Sequence, residues 1–224
     1  MTHRIALIHP LMPALSAAAA AFKRHWPEAR CINLLEDSLP DDLYRLGMAH
    51  PDVRRRIAAL LDYAKGLEVS GILFTGSGFG PLLDEMGPGL GVPLLKPNQA
   101  MFDEALAIAA KQPGKRLGML VSFPAAAEAM RLDFEATRSA AGVEVELEFG
   151  MVPAAMDCLR VGDAAGHNRL VAEAAKSLAG CSAVMLAQFS MAQAGDAVAA
   201  AIPVPVLSSP DSAVKKLRRV ITGA

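Results

Sequence analysis

The chain has 224 residues, of which 53% are apolar, 20% charged and 5% aromatic. It is too apolar to be a disordered chain, and too poor in aromatic residues for a base-stacking platform. With 22 basic and 23 acidic side chains the formal charge is −1, so no overall basic field exists to hold a nucleic-acid backbone.

In chain order, residues 5–9 form a short apolar run that ends in His9, and Pro10 and Pro13 break the apolar pattern beyond it. This predicts a buried strand, a turn and an alanine-rich helix, and disfavours a secretory leader with a continuous apolar core. Further runs stand at 31–35, 71–75, 92–95, 117–122, 143–149, 183–187 and 204–207. Helical patterns separate them at 52–67, 98–111, 124–140, 167–178, 191–201 and 209–220. The first of these starts at an Asp52 cap and carries Val53, Ile57, Leu60, Leu61 and Ala64 on one face. Arg54, Arg55 and Arg56 read as its solvated face. Strands alternating with helices predict an α/β fold of parallel sheets and crossover helices. No apolar stretch approaches the ~18 residues of a membrane span. Three cysteines cannot build a disulfide framework, which predicts a reducing, cytoplasmic setting. The five histidines and three cysteines show no paired ligand spacing, so neither a metal nor any other cofactor is expected.

Ile5 and Ile72 are separated by 67 residues, as are Leu117 and Val184. Equal spacing of two strand pairs predicts two pseudo-symmetric lobes, each a short parallel sheet flanked by helices. Ligands in such sheets sit beyond the carboxyl ends of the strands. That rule gathers His9, Thr75–Phe79, Ser122, Phe123 and Gln188–Ser190 at one rim, facing a cleft between the lobes.

The segment 74–81, FTGSGFGP, places hydroxyls and free backbone N–H groups just after a strand. These groups suit an anionic oxygen, and a glycine-rich packing turn is the plainer reading. Gly76, Gly78 and Gly80 do not match a dinucleotide fingerprint, and Ser77 lacks the flanking glycines of a hydrolase elbow. In the second half, Gln188 can hold an oxygen through its amide but cannot abstract a proton at neutral pH. Gln188, Ser190 and Ser122 are equally readable as helix caps.

Taken in order, 5–9, 74–81, 95–101 (LKPNQAM), 118–123, 186–192 and 206–214 (with Ser208, Ser209 and Pro210) resemble the aspartate/glutamate/hydantoin racemase superfamily over nearly the whole chain. The resemblance implies two lobes closing over a small carboxylate. The first would hold residues 1–97 plus 208–224, through a returning C-terminal helix, and the second residues 98–207. It implies no cofactor, no nucleic-acid or membrane partner, and leaves room for a homodimer. Thr75, Ser77, Gly78, Asn98, Ser122, Phe123, Phe189 and Ser190 become the expected substrate-binding residues. Family members use one cysteine per lobe, because stereoinversion needs a tunable acid/base on each face of the α-carbon. Here those two catalytic positions fall on Gly76 and Gln188. Similar arylmalonate decarboxylases also carry glycine at the first position but keep the second cysteine. Two expectations result. One is an enzyme performing racemase-, isomerase- or decarboxylase-type chemistry on a small carboxylate or amino-acid-like substrate, with proton transfer left to His9, a hydroxyl or water. The other is a catalytically inactive carboxylate-binding or regulatory protein.

Overall fold

A computed structural model describes residues 2–112 and 116–223. Its first sheet is built from β1 (Arg4–His9), β2 (Arg30–Leu35), β3 (Gly71–Phe74) and β4 (Leu94–Leu95), all parallel, in the order β2-β1-β3-β4. The helices of this half are α1 (Met12–His25), α2 (Leu39–Leu46), α3 (Pro51–Gly66) and α4 (Gly80–Met86). The chain continues through α5 (Gln99–Ala109) into a second sheet of β5 (Arg116–Val121), β6 (Glu146–Met151), β7 (Ala183–Leu186) and β8 (Val206–Ser208). This sheet repeats the topology as β6-β5-β7-β8. Its helices are α6 (Ala127–Ala141), α7 (Pro153–Arg160), α8 (Ala164–Ala175) and α9 (Gly195–Ala201), and α10 (Ser209–Thr222) ends the chain.

The internal repeat appears directly in the register. Ile5 pairs with Gly71 and Leu117 with Ala183, the same offset of 66 residues in both sheets. Both sheets are covered on two faces, which is why their central strands read as near-continuous apolar runs. Ala6, Ile8, Ile72 and Phe74 pack against the helix side made by α2–α4, whereas Ile5, Leu7 and Leu73 face α1 and α10. In the second sheet Met119, Val121 and Met185 pack with α5 and α6, and Leu120, Val184 and Leu186 with α8 and α9. Helix α10 puts Ala213, Val214 and Leu217 into the core around Ile5 and Leu7. Asp211 ties it to α1 through Arg24 at 2.6 Å and His25 at 2.9 Å.

Two local expectations are corrected. The cap of α3 is His50, whose Nδ1 accepts from the Asp52 N–H, because Pro51 occupies the first helical position and shifts the start by two residues. Residues 124–126 and 189–194 are 3-10 turns leading into α6 and α9, where continuous helices were expected.

The lobes are joined by buried polar contacts. Lys96, just after β4, donates across to Asp133 of α6 at 3.0 Å, and within its own half to the exposed Asp84 of α4 at 2.8 Å. Ser77 Oγ donates to the Ala187 carbonyl at 3.0 Å, from one strand-end loop to the other. No described helix is long and apolar enough to cross a membrane.

Candidate functional site

At the carboxyl ends of the central strands, the two halves enclose a cavity of about 270 Å3. The first half contributes Leu11, Ala14, Pro40, Leu43, Tyr44 and Thr75–Gly78, and the second Phe123, Ala126 and Gln188–Ser190. Among the described residues, no Asp, Glu, Lys, Arg or His lies on this wall. Polarity comes from hydroxyls, one amide and backbone. The N–H groups of Gly76, Ser77 and Gly78, three residues of the lining, hydrogen-bond no described residue and remain as unpaired donors.

Facing them is Gln188, 7% exposed. Its Oε1 accepts from both the backbone N–H of Ser122 at 2.7 Å and the Ser122 hydroxyl at 2.8 Å. With the carbonyl end locked, the amide Nε2 is left as the donor for the cavity. Ser122 therefore stands behind the wall and orients Gln188. Replacing Gln188 by leucine strands two buried donors and is expected to cost about 2 kcal/mol in urea unfolding; an unchanged midpoint would contradict this arrangement.

Of the residues singled out from sequence, Thr75, Gly76, Ser77, Gly78, Phe123, Gln188, Phe189 and Ser190 meet on the cavity wall. His9 and Asn98 do not. His9 is fully buried beneath Thr75, with Nδ1 3.0 Å from Thr75 Oγ1 and Nε2 3.0 Å from Asn33 Oδ1. Burial lowers its pKa below 6.5, a pull the Asn33 contact only partly opposes. Asn98 caps the space between lobes, its Oδ1 accepting from Ser209 Oγ at 2.6 Å. Ser77 spends its proton on Ala187, so its oxygen is available only as an acceptor. Phe189 packs into the core around Ile5 and Leu7 while its edge reaches the cavity.

Sequence reasoning missed Leu11, just before α1, Ala14 of α1, Pro40, Leu43 and Tyr44 of α2, and Ala126. The signal for α2 is short: Leu39, Leu43 and Leu46 recur at helical spacing around Pro40, over only two turns. Leu43 rests on the glycine loop, where a Cβ on Gly78 would lie 3.2 Å from its Cδ2.

Gly76, the position that the sequence resemblance gives to a first thiol, has no room for a side chain. A Cβ built on Gly76 would lie 2.4 Å from Pro10 Cγ, 2.8 Å from Phe79 and 2.9 Å from Phe74, all ring atoms that cannot swing aside. The cysteines present stand elsewhere. Cys31 lies on β2 with its thiol pushed up to about 11 by burial, and buried Cys181, also raised first by desolvation, precedes β7. Neither is a thiolate near neutral pH. Among the described residues no cluster of three metal-ligating side chains occurs.

Comparison with solved structures settles the architecture. A glutamate racemase from Bacillus anthracis matches 99% of this chain and 82% of its own at TM-score 0.75 and 12% identity. The aspartate racemase of Picrophilus torridus matches 98% and 94% at TM-score 0.74 and 12% identity. A glycine-to-cysteine mutant of arylmalonate decarboxylase, in a sulfate-associated form, matches 99% and 94% at TM-score 0.61 and 16% identity. The chain has the fold of the aspartate/glutamate racemase superfamily. No family model matches its sequence, and no curated protein does. Two four-stranded parallel sheets with the cleft between them are thus the two-lobed racemase architecture, here without a cysteine on either cavity wall.

Proposed function

We propose that the protein acts on a small monocarboxylate with an apolar body, held in the cleft between the lobes, without the paired-thiol mechanism. One observation carries this reading: the free N–H groups of Gly76, Ser77 and Gly78 stand on one wall and the Gln188 amide on the other, around an otherwise apolar cavity. Uncharged, pre-oriented donors in a low-dielectric pocket stabilise a carboxylate or an enolate-like oxygen more than water-exposed donors do. Leu11, Leu43, Phe123 and Ala126 supply the surface for an apolar substituent. The absence of any charged group from the wall disfavours an ammonium or a second carboxylate on the ligand, since neither would find a counter-charge there. The crowding at Gly76 and the amide of Gln188 support chemistry at the α-carbon by groups other than thiols.

Isothermal titration with phenylacetate, isobutyrate and both enantiomers of aspartate tests the reading. Phenylacetate is expected to bind, and aspartate at least about tenfold more weakly, the ~1.4 kcal/mol expected from burying an unpaired charge imperfectly. Equal binding of aspartate and phenylacetate, or binding of neither, would contradict it. Deuterium incorporation at the α-carbon from heavy water, assayed with amino acids and 2-substituted malonates, then separates turnover there from binding alone.

A further inference from the structure

From Thr75 on the cavity wall, through buried His9, to exposed Asn33 on the edge strand β2 runs a chain of three side chains that carboxylate binding does not use. Asn33 Oδ1 is 3.0 Å from His9 Nε2, and His9 Nδ1 is 3.0 Å from Thr75 Oγ1. With the Asn33 carbonyl oxygen turned to the ring, the tautomer that carries its proton on Nε2 leaves the Nδ1 lone pair for the Thr75 hydroxyl. The competing acceptor, the Ile8 carbonyl, is farther from that hydroxyl at 3.2 Å. His9 is fully enclosed, and burial keeps its ring neutral at neutral pH. β2 brings Asn33 to the imidazole and β3 leads into Thr75; no charged side chain among the described residues hydrogen-bonds any of the three. Thr75 lines the cavity, and the N–H groups of the next residues, Gly76 and Ser77, are free. A hydroxyl on a buried base, the base oriented by a third group, and donors beside the hydroxyl form the arrangement that activates a nucleophile.

We propose that Thr75 is a nucleophile with His9 as its general base and Asn33 as a positioning residue, and that the cleft cleaves small apolar esters or thioesters. Thr75 Oγ1 bonds to the carbonyl carbon while its proton passes to His9 Nδ1. The carbonyl electron pair moves onto oxygen, beside the N–H groups of Gly76 and Ser77. Collapse breaks the bond to the alcohol or thiol, which leaves with the proton from His9. Water then attacks the acyl-threonine, giving one proton to His9. That proton returns to Thr75 as the ester bond breaks, and a small carboxylate is released. This product belongs to the ligand class of the function proposed above, and the inference rests on that reading only for where the carbonyl sits.

Diisopropyl fluorophosphate tests the nucleophile without reference to carboxylate binding, so the two readings fail separately. The Thr75 oxygen displaces fluoride from phosphorus, and the adduct is located by peptide mass spectrometry on the full chain. The expected result is an adduct on Thr75. Labelling should be retained in Thr75→Ser, absent in Thr75→Val, and slowed about a hundredfold in His9→Gln. The rate should fall with decreasing pH only below the ordinary imidazole range, because burial lowers the pKa of His9. Asn33→Asp should move that fall to higher pH, because a carboxylate stabilises the imidazolium. An adduct on Ser77 or Ser190 instead, no adduct on the wild-type chain, or a pH profile unmoved by Asn33→Asp would overturn the proposal. The first two outcomes need no variant to fold.

Discussion

Gly76→Cys is expected to destabilise the protein by about 2 kcal/mol, and Gly76→Cys with Gln188→Cys to remain without racemase activity. Restoring both family thiols on this chain is not a neutral edit. At Gly76 the new Cβ meets Pro10, Phe79 and Phe74 at 2.4–2.9 Å. Overpacking of this kind typically costs about 1–3 kcal/mol, because rigid neighbours move only with their backbones. At Gln188 the substitution removes the acceptor for the Ser122 N–H and hydroxyl. Gly78→Ala is the control, since among the described residues its Cβ would meet the end of the flexible Leu43 side chain at 3.2 Å and Ala126 Cβ at an ordinary 3.9 Å. Urea unfolding of the three variants checks the order. A Gly76→Cys protein as stable as wild type, racemising aspartate or glutamate once Gln188 is also cysteine, would contradict both expectations.

Lys96→Met is expected to cost about 3 kcal/mol, the second large effect. Lys96 and Asp133 are 9% and 6% exposed, and their 3.0 Å contact joins β4 of the first lobe to α6 of the second. Burial pulls Lys96 towards its neutral form, but the carboxylates of Asp84 and Asp133 outweigh it and raise its pKa. Asp133 has the one ammonium against its burial, and desolvation prevails, raising its pKa above 3.8. Deleting Lys96 leaves this carboxylate buried and unpaired, which is far costlier than removing both partners. Lys96→Met with Asp133→Leu should therefore recover most of the loss. The pH dependence has a definite sign. A carboxyl whose folded pKa lies above its unfolded value favours the folded state when protonated, so Lys96→Met should regain stability as pH falls from neutral towards about 4. Chemical denaturation at several pH values measures it; a loss independent of pH would mean that Asp133 is not the stranded group.

Much of the architecture was legible because parallel strands buried on both faces leave short apolar runs between helical periods. All eight strands lie where those runs stand, and the equal spacing of Ile5–Ile72 and Leu117–Val184 is the equal register of β1–β3 and β5–β7. The strand-end rule also gathered Thr75–Gly78 with Gln188–Ser190. It could not tell which way a side chain turns after its strand. His9 ends β1 as expected, yet its ring lies below Thr75 because Asn33 and Thr75 supply partners on neighbouring strands. Asn98 was drawn off the cleft by Ser209, more than a hundred residues away in sequence. Short α2 escaped notice because eight residues carry little periodicity, although it supplies three residues of the apolar wall.

The central claim is that the cleft holds a carboxylate on backbone donors of the glycine loop, with no thiol involved. A crystal structure of the protein with phenylacetate tests it most directly. The account predicts the carboxylate within hydrogen-bond reach of the N–H groups of Gly76–Gly78, and the ring against Leu43 and Phe123. Phenylacetate bound only outside the cleft, such as beside Lys215 and Lys216 in the groove between α5 and α10, would contradict it.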